Sequence, residues 1–184
     1  MTSRNPNPQG KGLVPVLQGM QQHALRLPVP PKPITQIEME LFTSLFVLQS
    51  EIRLNPVVGR RYWLYARTQG YRLSLVAPDE WHRTLPQRCI GECVLQADRT
   101  WTLQLQTDVA NDDNFMTRIE QQRALLHATL EQAEHVEDVL PVYAHSLGYH
   151  GRILAFMLGK SLRSSMQLAG IAALPYQEAA GLLE

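Results

Sequence analysis

Residues 59–81, GRRYWLYARTQGYRLSLVAPDEW, hold three Tyr, two Trp and four Arg. Aromatic rings stack on nucleobases and guanidinium groups follow a phosphate backbone, so this mixture suits a surface for RNA or single-stranded nucleic acid. The side chains available for it are Arg61, Trp63, Tyr65, Arg67, Arg72 and Trp81, with Arg60, Arg83 and Arg88 around them. A second group is His127, Glu131 and His135, spaced i, i+4, i+8 along a helical pattern. Two imidazoles and a carboxylate are ligand types for zinc, and a metal-dependent enzyme is the activity they would serve. A zinc signature needs ligands from a second element, for which His145 and His150 are the candidates. A solvated acidic face including Glu134 and Asp138 accounts for the same residues. No Gly-x-Ser-x-Gly elbow, glycine-rich phosphate loop, Cys–His signature or zinc-protease motif occurs. The residues therefore assign no catalytic group, no cofactor and no metal ligand.

What must position these residues is a hairpin and a helix. Alternating runs at 61–67 and 71–77 flank Thr68-Gln69-Gly70. A three-residue loop with Gly70 left-handed pairs Arg67 with Tyr71, Tyr65 with Leu73 and Trp63 with Leu75. Trp63 and Tyr65 are then core. A two-residue Gln-Gly loop shifts the register by one and turns Trp63, Tyr65 and Arg67 to the face of Arg72 and Ser74, the stacking platform. Gln resists positive φ, which favours the longer loop and the core reading. Trp81, after Pro78-Asp79-Glu80, is read as a plug for the end of the sheet, with a ligand-stacking lid as the alternative.

A second hairpin is expected from strands 89–96 and 101–106 around Ala97-Asp98-Arg99-Thr100. Trp101, Leu103 and Leu105 alternate with Thr102, Gln104 and Gln106, so the sheet has one apolar face that a helix must cover. That helix is 35–53: Leu41, Leu45, Leu48 and Ile52 recur at helical spacing, with Phe42 and Phe46 widening the stripe. Thr35 and Glu38 have capping-box spacing, Ile34 and Met39 that of a hydrophobic staple.

The remainder reads as helical. One helix runs from Asp112 or Asp113 to about Asp138 with Phe115, Ile119, Leu126, Leu130 and Ala133 as its stripe. Another covers 151–169, and a short one 175–183. Residues 108–138 carry eight acids against Arg118 and Arg123, a net of −6, whereas 151–169 sets Arg152, Lys160, Arg163 and Gln167 opposite Leu154, Met157, Leu158, Leu162 and Leu168. An antiparallel pair of helices with complementary charge is expected, with attachment of the basic helix to an anionic membrane surface as the alternative.

Residues 1–33 contain seven of the twelve prolines and four basic residues with no acid. They read as an extended arm whose Leu13, Val14, Val16 and Leu17 can dock onto the body. The domain organisation expected is thus an arm over 1–33, a helix-plus-sheet module over 34–107 and a helical extension over 108–184. The fold class is α+β, a four-stranded antiparallel meander packed on the N-terminal helix. Net charge is zero, so no global field draws the chain to nucleic acid. There is neither a secretory leader pattern nor an apolar run long enough for a membrane helix. Cys89 and Cys93, four residues apart on one strand, stand roughly 13 Å apart, too far for a disulfide. Reduced thiols and a cytoplasmic location are the simplest reading.

An aromatic strand with its hairpin, Pro-x-Glu-Trp at 78–81, a glycine in IGECVL and Asp-x-Thr-Trp at 98–101 follow in order. Over about 55–105 this arrangement resembles an uncharacterised family, domain of unknown function 2452. The resemblance implies an intracellular protein of unknown activity and carries over no site residue. The function expected is a non-enzymatic protein-interaction or adaptor module in the cytoplasm. Its partner is unidentified, and a second copy of the chain is one candidate. Nucleic-acid binding through the hairpin and metal-dependent catalysis are the alternatives.

Overall fold

A computed structural model describes residues 29–81, 87–141, 144 and 146–182. The expected docking of Leu13 to Leu17, the loop carrying Arg83 and the placement of His145 lie outside these residues.

Helix α1 spans Ile34–Leu48 and buries Ile34, Ile37, Leu41, Phe46, Val47 and Leu48. Its first turn differs from expectation. Pro33 is the N-cap and no side chain caps the helix. Ile34 is itself drawn into the core, so winding starts ahead of Thr35, and Met39 is about half exposed (52 %) rather than part of a staple. Nor does the helix reach residue 53. Glu51 leaves it to pair with the sheet, its N–H donating to the Tyr71 carbonyl at 2.8 Å and its carbonyl accepting from Leu73 N–H at 3.2 Å.

The sheet comprises β1 (Arg61–Ala66), β2 (Tyr71–Ser74), β3 (Cys89–Leu95) and β4 (Trp101–Leu105), all antiparallel, in the order β2-β1-β3-β4. The α+β class and the antiparallel sheet against the N-terminal helix are as expected. The order refines the meander, because β3 returns beside β1 and leaves β2 at one edge. With Tyr62, Leu64 and Tyr65 all buried, β1 is hydrogen-bonded on both sides. Trp101, Leu103 and Leu105 face α1 while Thr102 and Gln104 are exposed, the alternation read from the sequence. Gly91 permits this packing. A β-carbon there would lie 2.3 Å from the Gln104 carbonyl oxygen, so only glycine lets β4 close on β3. Cys89 and Cys93 are unpaired and buried, and burial pushes the Cys93 thiol up to about 12.

The hairpin register corrects the favoured reading. Ala66 pairs with Tyr71, Tyr65 with Arg72, Leu64 with Leu73 and Trp63 with Ser74. The loop is Arg67–Gly70, four residues, closed by Arg67 N–H to the Gly70 carbonyl at 2.9 Å with Gly70 at φ +73°. Neither the two-residue Gln69-Gly70 loop nor the three-residue loop forms, yet the faces are those the two-residue alternative gave. The consequence is that Tyr62 and Leu64, not Trp63 and Tyr65, share the core face with Leu73, and both are fully buried. Trp63 and Tyr65 take the opposite face with Arg72 and Ser74.

Beyond the sheet come α2 (Thr107–Ala110), α3 (Asp113–Gln132), a 3-10 turn (Val136–Val139), α4 (Tyr149–Ala169) and α5 (Tyr176–Gly181). Asp112 caps α3, accepting from Phe115 N–H at 3.1 Å. α3 stops at Gln132, six residues short of Asp138, and buries only Phe115 and Leu130. α4 buries Leu154, Leu158, Leu162 and Met166, and its main helical partner is α1 rather than α3. The expected charge-paired hairpin of helices is therefore reduced to Arg163 on Glu137, at 2.8 Å. Leu168 stays exposed. Among the described residues no helix is long and apolar enough to cross a membrane.

Candidate functional site

The outer face of the sheet carries Arg61, Trp63, Tyr65, Arg72 and Ser74 together. Tyr65 is nonetheless buried, because Trp81 returns over it with the rings edge-on at 6.0 Å. Trp81 Nε1–H donates to Tyr65 Oη at 3.2 Å, and that hydroxyl donates to the Val76 carbonyl at 2.8 Å. Burial raises the Tyr65 phenol above its ordinary pKa. Trp63 is half-buried and Trp81 is 38 % exposed. The arginines are largely engaged: Arg61 with Glu92 at 3.4 Å, Arg67 with Glu51, and Arg88 with both Asp108 and Asp112. Trp63 and Arg72 are what remains of an open stacking surface.

His127, Glu131 and His135 do not assemble. His127 Nε2 is 3.6 Å from Glu131 Oε1, but α3 has ended before His135, which turns to Asp138 with Nδ1 3.4 Å from Oδ2. His150 sits against Tyr149 at the start of α4. No group of three His, Cys, Asp or Glu able to hold a metal ion occurs among the described residues. His127 serves another arrangement. Its Nδ1 lies 3.0 Å from Glu38 Oε1, while the Tyr176 hydroxyl donates to Glu38 Oε2. Burial and the Glu38 carboxylate both raise the Tyr176 phenol, so it stays a donor. One carboxylate thus ties α1, α3 and α5 together, which explains why Glu38 is not in a capping box.

A different feature gathers apolar surface. Because α3 buries so little, a groove remains between it and α1, floored by Leu103 and Leu105 of β4. About 210 Å³ of space lies among Met39, Phe42, Thr43, Phe46, Leu103, Leu105, Phe115, Ile119 and Arg123. A second depression of about 240 Å³ adjoins it, sharing Phe42 and Phe46 and continuing to Leu125 and Leu126. Met39 and Leu125, at 52 % and 69 % exposure, stand at the two depressions. Each depression is smaller than the roughly 300–1,000 Å³ typical of small-molecule sites. Their size suits inserted side chains. Arg123 is the single charge lining the first depression, its guanidinium 6.0 Å from the Phe42 ring centre.

Sequence reasoning assigned Phe42, Phe46, Phe115 and Ile119 to core stripes. The missed signal is that α3 has a narrow stripe with polar residues on both sides, too narrow to seal against two phenylalanines.

Residues 44–124 match the family described as Protein of unknown function (DUF2452), the family whose motifs the hairpins resemble. The matched span covers the sheet and the β4 and α3 walls of the groove, and less than half of the chain. Neither a curated protein nor a solved structure matches.

Proposed function

We propose that this protein is a non-enzymatic, cytoplasmic interaction module that seats apolar side chains of a protein partner in the groove between α1 and α3. The observation carrying this reading is the pair of adjoining depressions around Phe42 and Phe46, with Met39 and Leu125 presented to solvent. Exposed apolar residues at a concave, aromatic-lined surface mark binding sites in soluble proteins. The helical extension over 108–184 has its role in this proposal: it supplies α3 as the second wall.

The test is co-purification from the native host with wild-type protein and with Met39→Asp and Leu125→Asp. Both positions are solvent-exposed, so melting temperature should not change. A stoichiometric protein partner should be lost in both variants. A partner retained equally by both, or a monodisperse monomer with none, would rule the groove out.

A second reading, nucleic-acid binding, is favoured by the register that sets Trp63 and Arg72 on the outer sheet face. It requires affinity for a single-stranded oligonucleotide that falls steeply with salt and is lost on Trp63→Ala in folded protein. The ion pairs on Arg61, Arg67 and Arg88 weigh against it.

A further inference from the structure

The groove borders β4, whose outer edge no strand joins among the described residues. At the two ends of the β3–β4 pair, Gln106 N–H donates to the Ile90 carbonyl at 2.9 Å, and Gln96 N–H donates to the Thr100 carbonyl at 2.8 Å. Even-numbered residues of this register therefore bond toward β3. Odd-numbered ones point the other way, and Trp101 N–H does so, donating to Ser44 Oγ of α1 at 2.9 Å. By the same alternation the N–H and C=O of Leu103 and Leu105 point outward, into the space that α1 and α3 enclose. Among the described residues no backbone or side-chain partner meets them there. Unpaired donors and acceptors on a strand edge are a template for another strand.

We propose that β4 accepts an extended segment of a partner polypeptide as a fifth strand. This rests on the interaction reading above and specifies its occupant. Main-chain bonds to Leu103 and Leu105 supply register and affinity. Alternate side chains of the added strand enter the depression between Phe42 and Phe115, where their period of two meets the pocket. The occupant carries a carboxylate, because among the described residues Arg123 is the only charge in the lining and no acidic side chain pairs with it. Arg123 stands exposed at the rim, where a carboxylate on the added strand can reach it.

The probe is a short synthetic peptide alternating valine and threonine, with one aspartate at the end that meets α3. Binding is read by fluorescence anisotropy, and its site by amide hydrogen exchange. Slower exchange at Leu103 and Leu105 is expected, with N-methylation of the peptide's edge-facing amides weakening binding about tenfold. Replacing the aspartate by asparagine should weaken it about threefold. Arg123→Gln should abolish that difference while leaving the effect of N-methylation intact.

An amphipathic helical peptide binding in place of the extended one would overturn strand addition while leaving the groove as the interaction site. So would an alkyl carboxylate binding with unchanged exchange at Leu103 and Leu105. Concentration-dependent dimers with protected Leu103 and Leu105 amides would assign the edge to a second copy instead. No binding by any probe, together with a partner retained by Met39→Asp and Leu125→Asp, would remove both proposals.

Discussion

Lys32 Nζ lies 2.5 Å from Asp98 Oδ2 and 2.6 Å from Glu40 Oε2, so one ammonium ties the segment before α1 to α1 itself and to the β3–β4 turn. The lysine is 6 % exposed, and Asp98 also accepts from the Thr100 N–H and hydroxyl. Ser165 Oγ donates to the Pro30 carbonyl at 2.6 Å and Ser161 Oγ to the Asp98 carbonyl, so α4 is fastened to both ends of the same arrangement. Removing the cation leaves two carboxylates facing each other in a shielded place. Lys32→Met is expected to cost about 3 kcal/mol, from the loss of one partner in a buried pair. Urea unfolding measures it, and a loss below about 0.5 kcal/mol, the surface-substitution range, would refute the role.

The same cluster sets a pH dependence. Burial opposes both charges, but their mutual hydrogen bonds outweigh it and hold Asp98 below, and Lys32 above, their ordinary pKa values. A depressed carboxylate contributes stability present above its unfolded pKa of about 3.9 and lost as pH falls through the lower folded value. A raised lysine contributes stability present below its unfolded pKa of about 10.4 and lost as pH rises through the folded one. Stability should therefore show an acid limb below about pH 4 that flattens in Lys32→Met. Equal acid limbs in the two proteins would place the dependence elsewhere.

The hairpin register yields a reciprocal pair of substitutions. Tyr62 is fully buried, its hydroxyl accepting from Val57 N–H at 2.7 Å and its ring edge-on to Trp101 at 5.9 Å. Tyr62→Ala should cost about 3–5 kcal/mol, as for other large core truncations. Trp63→Ala, on the outer face, should cost about 1 kcal/mol. The reverse order would restore the register that a three-residue loop demands.

Gly91→Ala is expected to destabilise by about 1–3 kcal/mol through overpacking, since the added methyl meets the Gln104 backbone rather than a movable side chain. Thermal unfolding with unchanged far-ultraviolet dichroism before the transition would show the effect to be local crowding.

Tyr176→Phe removes the hydroxyl from Glu38 and should cost about 1.5–3 kcal/mol, the range for a hydrogen bond to a charged group. Limited proteolysis should then cut after α4 sooner than in wild type. Unchanged cleavage would mean α5 is held by its apolar side alone.

Periodicity was legible wherever one face of an element is buried. The strand alternation at Trp101, Leu103 and Leu105 and the start of α3 at Asp112 both follow from residue order. What failed turns on choices that local preferences leave open. Turn chemistry disfavours the Gln-Gly loop through positive φ at Gln69 but does not by itself fix the loop between β1 and β2. Burial of Tyr62 and Leu64 against α1 decides it, and that is a tertiary fact. The capping box at Thr35 failed for a similar reason, because burying Ile34 and binding Glu38 to Tyr176 outweigh one cap of about 1 kcal/mol. The groove was hidden because Phe42, Phe46 and Phe115 look like core until α3 is seen to close on them only partly.

Glu51 pairs with β2 at one flank of the sheet, and among the described residues β4 is the flank without a partner strand. A sheet open on both flanks can recruit copies of itself in either direction and run on into a filament. This one is polar in that sense. Pairing of two symmetry-related copies through β4 ends there, because among the described residues the β2 flank of each copy is already met by Glu51. Pairing of copies through this edge makes closed pairs, not fibres.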